Sequence, residues 1–153
     1  MSRLRLILAT WFGSGLFPFA PGTAGTMATV PLVALLWRAG STPLHLVMIV
    51  LLVVAGLWAS GEAETHFGKK DPGPVVIDEA AGFLVATIAV PAGVGTMAAS
   101  FLLFRVLDIV KPWPANRLER MPGARGIMFD DLVAGLYANL LVQLGLLAVR
   151  KLG

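Results

Sequence analysis

Apolar residues run along this chain in long blocks separated by short polar windows. Residues 6–37, 39–61, 80–104 and 132–149 contain no Lys, Arg, Asp or Glu. A helix needs about 20 mainly apolar residues to cross a bilayer. Residues 43–60 and 132–149 approach that length, and both are expected to be transmembrane helices. The block at 26–37 is shorter. With Arg38 snorkelling at its end, it is expected to pair with 43–60 as a helical hairpin turning at 39–42.

The block at 80–104 carries Pro91-Ala92-Gly93-Val94-Gly95 at its centre. Such residues break helices and make turns. One continuous span would put the polar windows on either side of it at opposite faces of a membrane. A hairpin broken near Pro91 puts them on the same face. The hairpin is preferred, because the acidic residues described below make chemical sense only together. Short helices of this kind must be covered by protein or lie at the interface. Residues 1–10 place Arg3 and Arg5 before an apolar run too short for a signal peptide. An interfacial amphipathic helix is expected there. The chain has no internal repeat and no linker, so residues 1–153 read as one all-α, membrane-embedded domain of about four to six helices.

Composition sharpens the class. Apolar residues make up 57% and charged residues 14% of the 153, and the mean hydropathy is +0.81. Soluble domains average roughly 45–50% apolar and about 25% charged. Disorder is excluded, and an ordinary soluble globule is disfavoured. With no Cys, there is no disulfide framework, thiolate metal site or cysteine nucleophile. The net charge of +3 suits an anionic membrane leaflet rather than nucleic acid.

The nine carboxylates fall in two windows, one from Glu62 to Glu79 and one from Asp108 to Asp131. With the N-terminus and the adjoining Arg105, these windows hold nine of the twelve Lys and Arg residues. The positive-inside rule then makes that face cytoplasmic, although Arg150 and Lys151 lie opposite in this layout.

Four clusters can carry chemistry. Gly13-Ser14-Gly15 and Pro21-Gly22-Thr23-Ala24-Gly25-Thr26 form a Gly/Pro-rich loop before a helix. Amides at a helix start favour phosphate, though such loops mostly serve as punctuation. Asp78-Glu79 opens an apolar helix. Acids there complement the macrodipole or hold a hard cation such as magnesium. Arg105, Asp108 and Lys111 recur every three residues, before Pro112-Trp113-Pro114. They form either an exposed ion-pair ladder or a site for a metal and an anion. Asp130-Asp131 precedes the last apolar span, where Asp131, Gly135, Ala138 and Asn139 share a face. Asn139 reads as interhelical glue, Trp113 as an interfacial anchor, and His45 as a packed residue. His66 follows Glu62 by four residues, and a solvated pair is preferred there over a shared metal. Five carboxylates can hold one or two magnesium ions, activate water and clamp a phosphoryl oxygen.

In this order, the four clusters resemble the phosphatidylglycerophosphatase A family along nearly the whole chain. The resemblance rests on Gly13-Ser14-Gly15 with Pro21-Gly22-Thr23-Ala24-Gly25, then Ile77-Asp78-Glu79 with Gly82. It continues through Phe104-Arg105 with Asp108, Lys111-Pro112-Trp113-Pro114, and Gly126-Ile127-Met128 with Asp130-Asp131 and Ala134-Gly135. Thr26 stands where Ser is expected in many relatives, and keeps the hydroxyl.

The resemblance implies an all-helical, magnesium-dependent phosphatase of the bacterial inner membrane. Such an enzyme hydrolyses the phospholipid phosphatidylglycerophosphate to phosphatidylglycerol and inorganic phosphate. It implies Asp78, Glu79, Asp108, Asp130 and Asp131 as metal or water-activating groups. Arg105 and Lys111 become phosphate binders, and Thr23 and Gly25 part of the phosphate-side loop. The expected reaction is direct attack by metal-activated water at the cytoplasmic boundary. A CDP-alcohol-type transferase needs a longer Asp-x-x-Asp-Gly pattern, which is missing here. A non-catalytic transporter or assembly factor expects acids within the spans, whereas these cluster at span ends. Homo-oligomerisation is left open.

Overall fold

The computed structural model describes residues 1–152, and every regular element among them is helical. In chain order the α-helices are α1 (Arg3–Ala9), α2 (Pro21–Ala39), α3 (Thr42–Ser60), α4 (Ala63–Phe67), α5 (Ile77–Thr87), α6 (Val94–Val110), α7 (Ala115–Leu118) and α8 (Ala124–Leu152), with one 3-10 turn at Ser14–Leu16. Five of them (α2, α3, α5, α6 and α8) have eleven residues or more. By length and composition, α3 and α8 can each cross a membrane. Their outward faces carry exposed Leu46, Val50, Val54, Leu140, Leu144 and Leu147. An exterior this apolar is the reverse of a soluble bundle, and suits a lipid surround.

The short helix α5 is the axis of the bundle. It packs against α2, α3, α6 and α8, and Ile77, Ala80, Ala81, Phe83, Leu84 and Ala86 are sealed from solvent. Because α5 stops at Thr87, its last carbonyls lack helical partners. Side chains from three other helices supply them. Trp37 Nε1 of α2 donates to Thr87 O (3.2 Å). His45 Nε2 of α3 lies 3.0 Å from Leu84 O. Asn139 Nδ2 of α8 donates to Ala86 O (3.1 Å) and Ile88 O (2.8 Å). His45 is thus packed and Asn139 is interhelical glue, as the sequence suggested.

The helix break falls where Pro91-Ala92-Gly93 predicts it: α5 ends at Thr87 and α6 begins at Val94. The 80–104 block is therefore a hairpin of two helices packed on each other.

Three local expectations need correction. First, α2 and α3 are joined by a tight turn, but they do not form a closely packed hairpin. Each packs on α5, and a cleft lined by Leu32, Leu35 and Met48 separates them. Second, α2 begins at Pro21 rather than near residue 26, because Pro at the first helical position is pre-set for a helix. Third, Asp130-Asp131 does not open a helix. α8 starts at Ala124 and carries both acids in its second turn.

The N-terminal helix α1 packs against α3. There the Arg5 guanidinium pairs with Glu62 and lies 4.8 Å from the Trp58 ring centroid. Glu62 also pairs with the N-terminal ammonium at 3.5 Å. It is therefore an anchor for α1, not a partner of His66 in a metal site.

Candidate active site

The site is built by a glycine-to-glycine contact. α5 and α8 run side by side in parallel, with Gly82 against Gly135. A β-carbon on Gly82 would lie 2.6 Å from Asp131 O, and one on Gly135 would collide with Gly82 O. Only bare backbone on both helices allows that approach. One turn earlier on each helix stand Asp78 and Asp131, and one turn later Ala86 and Asn139. The offset of 53 residues is the same in all three pairs. The spacing Asp-x-x-x-Gly, present on both helices, thus brings the two aspartates together.

Glu79 completes a trio. One carboxylate oxygen each from Asp78, Glu79 and Asp131 lies within 4.8 Å of the others. Asp78 is 6% and Asp131 2% exposed. Asp78 Oδ1, Glu79 Oε2 and Asp131 Oδ2 are buried without a hydrogen-bond donor. Buried carboxylates so close together repel each other, and bare oxygens pay a desolvation cost. A bound cation would meet both demands. An all-oxygen donor set selects a hard ion such as magnesium over a soft one. The residues present therefore fit the implied metal.

Two cations border the trio, each tied to an acid of its own. Arg105 of α6 places Nη1 2.6 Å from Asp108 Oδ2 and 3.8 Å from Glu79 Oε1. Its Nε and Nη1 still lack an aligned acceptor. Asp108, also buried, stands close enough to Asp131 for their charges to repel.

Lys111 does not continue the helical stripe of Arg105 and Asp108. It caps α6 in the left-handed conformation (φ 48°), which swings it toward α8. There Nζ lies 2.5 Å from Asp130 Oδ2 and 3.3 Å from Glu119 Oε1. Burial alone lowers an ammonium pKa, but the hydrogen bond and charge of Asp130, with Asp131 and Asp71, outweigh it. The Lys111 pKa is raised well above the ordinary lysine value.

The N-terminal cluster contributes through helix α2 rather than through a loop. Thr23 and Gly25 lie inside its first turns. Gly25 faces Val76, whose Cβ would be 2.7 Å from an added β-carbon, so it is a packing notch. The glycine that meets the charged groups is Gly22. A β-carbon there would strike Glu79 Oε1 and sit 2.9 Å from Arg105 Nη2. The first amides of α2, free of helical acceptors, thus open beside the trio.

Sequence reasoning passed over two further acids. Asp71, at φ 46°, lies in the loop before α5 and is close enough to Lys111, Glu119 and Asp108 to feel their charges. Burial raises its pKa, against the pull of Lys111. Glu119 flanks Lys111. Neither belongs to a recognisable spacing. Only the backbone route of 68–76, held by Val76 N donating to Ala9 O (2.9 Å), brings Asp71 in.

The chain is similar to known proteins along most of its length. A Bacteroides thetaiotaomicron protein provisionally named phosphatidylinositol-3-phosphatase is 38% identical, with 92% of each chain covered. A phosphatidylglycerophosphatase A of Escherichia coli K12 is 36% identical over 88% of this chain and 81% of its own. One from Haemophilus influenzae is 34% identical over 89% and 85%. No solved structure matches. The profile "Phosphatidylglycerophosphatase A" matches residues 7–146, which include all five acids, both cations and the start of α2, and the chain belongs to that family of phosphoric monoester hydrolases.

Proposed function

We propose that this protein removes the terminal phosphate of phosphatidylglycerophosphate at the cytoplasmic face of a bacterial inner membrane, using magnesium. The observation that carries the reading is the trio of buried, unpartnered carboxylate oxygens flanked by two cations. Asp78, Glu79 and Asp131 would hold the ion. When bound, magnesium polarises a phosphoryl oxygen and makes water a better nucleophile.

The chain's own groups supply the rest. Arg105, through its unaligned Nε and Nη1 donors, and Lys111 bind the phosphoryl oxygens where charge accumulates. The first amides of α2 and the Thr23 hydroxyl bind the same group from the other side. Asp108 orients Arg105 with one oxygen, which leaves its second oxygen to accept the proton of the attacking water. Asp130 holds Lys111 in place. The five acids thus divide into an ion-holding trio, Asp130, which positions Lys111, and Asp108, which positions Arg105 and takes the proton.

Embedding the site among apolar helices matches a substrate that carries acyl chains. The relative named for a phosphoinositide keeps the wider class of lipid phosphomonoesters in view. The test is phosphate release by purified protein from phosphatidylglycerophosphate, phosphatidic acid and phosphatidylinositol 3-phosphate, with magnesium and with a chelator. Magnesium-dependent release, fastest from phosphatidylglycerophosphate, is expected. Release that continues unchanged in chelator overturns the metal's role, and no release from any of the three overturns the reading.

A further inference from the structure

We infer that one acyl chain of the lipid substrate lies in the apolar groove between α2 and α6, which leads directly away from the phosphate site. The inference rests on the reading of that site as a lipid phosphomonoesterase. The groove encloses about 770 Å³ and is almost wholly apolar. That volume is in the range of ligand pockets, roughly 300–1,000 Å³.

The two walls are helical stripes, and each stripe begins at a phosphate-binding residue. On α2 the wall is Met27, Val30 and Ala34. Stepping back by one turn from Met27 along the same face reaches Thr23. On α6 the wall is Ala98 and Phe101, and the next position on that face is Arg105. The helices run in opposite directions along the groove, α2 leaving the site and α6 arriving at it. Thr23 and Arg105 therefore mark the same end.

At the other end Trp37 lines the groove, its ring fixed by the bond from Nε1 to Thr87 O. From Met27 to Trp37 the wall is about 15 Å long at 1.5 Å per residue. That is half of the roughly 30 Å hydrocarbon thickness of a bilayer, the depth that one leaflet's acyl chains fill. A chain whose phosphate sits between Thr23 and Arg105 has this groove as its continuation. Phosphate at the head and hydrocarbon along the walls specify a phospholipid monoester rather than a soluble phosphate ester.

A chain moving from lipid into the groove gains packing rather than burial, so the groove acts chiefly by position. Filling it far from the chemistry should therefore penalise long chains and spare short ones. Ala34→Trp, on the α2 wall, places an indole about 16 Å from Thr23 along the helix. With dipalmitoyl phosphatidylglycerophosphate in detergent micelles, kcat/KM should fall about tenfold. With the dihexanoyl substrate it should stay within about twofold, because that chain ends before the indole. Equal effects on both substrates, or on neither, overturn the groove.

A second readout needs neither a variant nor turnover. Phosphatidylglycerophosphate carrying a diazirine midway along one acyl chain is photolysed on the wild-type protein, and adducts are mapped by mass spectrometry. Adducts concentrated on Met27, Val30, Met97 and Phe101 support the groove. Adducts spread over the outward faces of α3 and α8 overturn it. The two failures are separable. Groove adducts without phosphate release leave the inference standing and remove the proposed reaction. Release with scattered adducts does the opposite.

Discussion

Gly82→Ala is the smallest change that separates the aspartates without touching them. The new β-carbon would sit 2.6 Å from Asp131 O and 2.7 Å from Phe104 Cε2. The first neighbour is backbone, so no side-chain rotation relieves it. Restoring an ordinary contact of 3.4 Å means moving α8 away from α5 by about 0.8 Å at this level. Overpacking of this kind costs about 1–3 kcal/mol. The functional loss should be larger, since a misplacement of about 1 Å at a site can cost about 100-fold in rate. The assay is phosphate release per folded molecule, alongside thermal unfolding in detergent. Gly145→Ala is the control: it lies on the same helix α8 with nothing within 4 Å of an added β-carbon. It should leave activity intact and match or raise stability, since Ala is the better helix former. Wild-type activity in Gly82→Ala would refute the claim that this glycine pair sets the carboxylate geometry.

Other consequences follow from the same contacts. Asp131→Asn should abolish turnover yet raise the unfolding temperature without metal, because it removes one of three crowded buried charges. Differential scanning fluorimetry with and without magnesium checks this, and the variant should show no magnesium-induced rise. Lys111→Met should destabilise by about 1–3 kcal/mol by leaving the Asp130 carboxylate without its hydrogen-bond donor. Adding Asp130→Asn should restore the melting temperature but not the activity, since the cation proposed to bind phosphate is still missing. Asn139→Leu should cost about 1–2 kcal/mol through the bared carbonyls of Ala86 and Ile88. Turnover per folded molecule should change little, because Asn139 holds the far end of α5.

The parts of the fold that were legible in the sequence are those written by local chemistry. Pro91-Ala92-Gly93 forbids a continuous helix, so the α5–α6 hairpin follows. The uncharged runs mark α3 and the apolar part of α8. The acids were identifiable because carboxylates are scarce in so apolar a chain. Their grouping was less visible. Asp130 and Asp131 are neighbours in sequence, yet successive helical residues point in different directions. Asp131 therefore meets Asp78 while Asp130 meets Lys111.

Pro21-Gly22 suggests a loop, because Gly and Pro usually punctuate. In fact Pro begins the helix, and Gly22 is a gap left for Glu79 and Arg105. Lys111 looked like the third rung of a stripe, but the turn before Pro112 bends it away. Asp71 carried no signal, since a lone acid in a polar loop looks like solvent-facing charge.

The central claim is that Asp78, Glu79 and Asp131 form one cation site. Its most direct test is a titration of purified protein with Mn²⁺, a spectroscopically visible stand-in for magnesium, followed by electron paramagnetic resonance. The wild type should remove free Mn²⁺ from solution saturably, and magnesium should compete it off. Asp78→Asn and Asp131→Asn should each lose that binding while still folding in detergent. Undiminished binding in both variants would contradict the account.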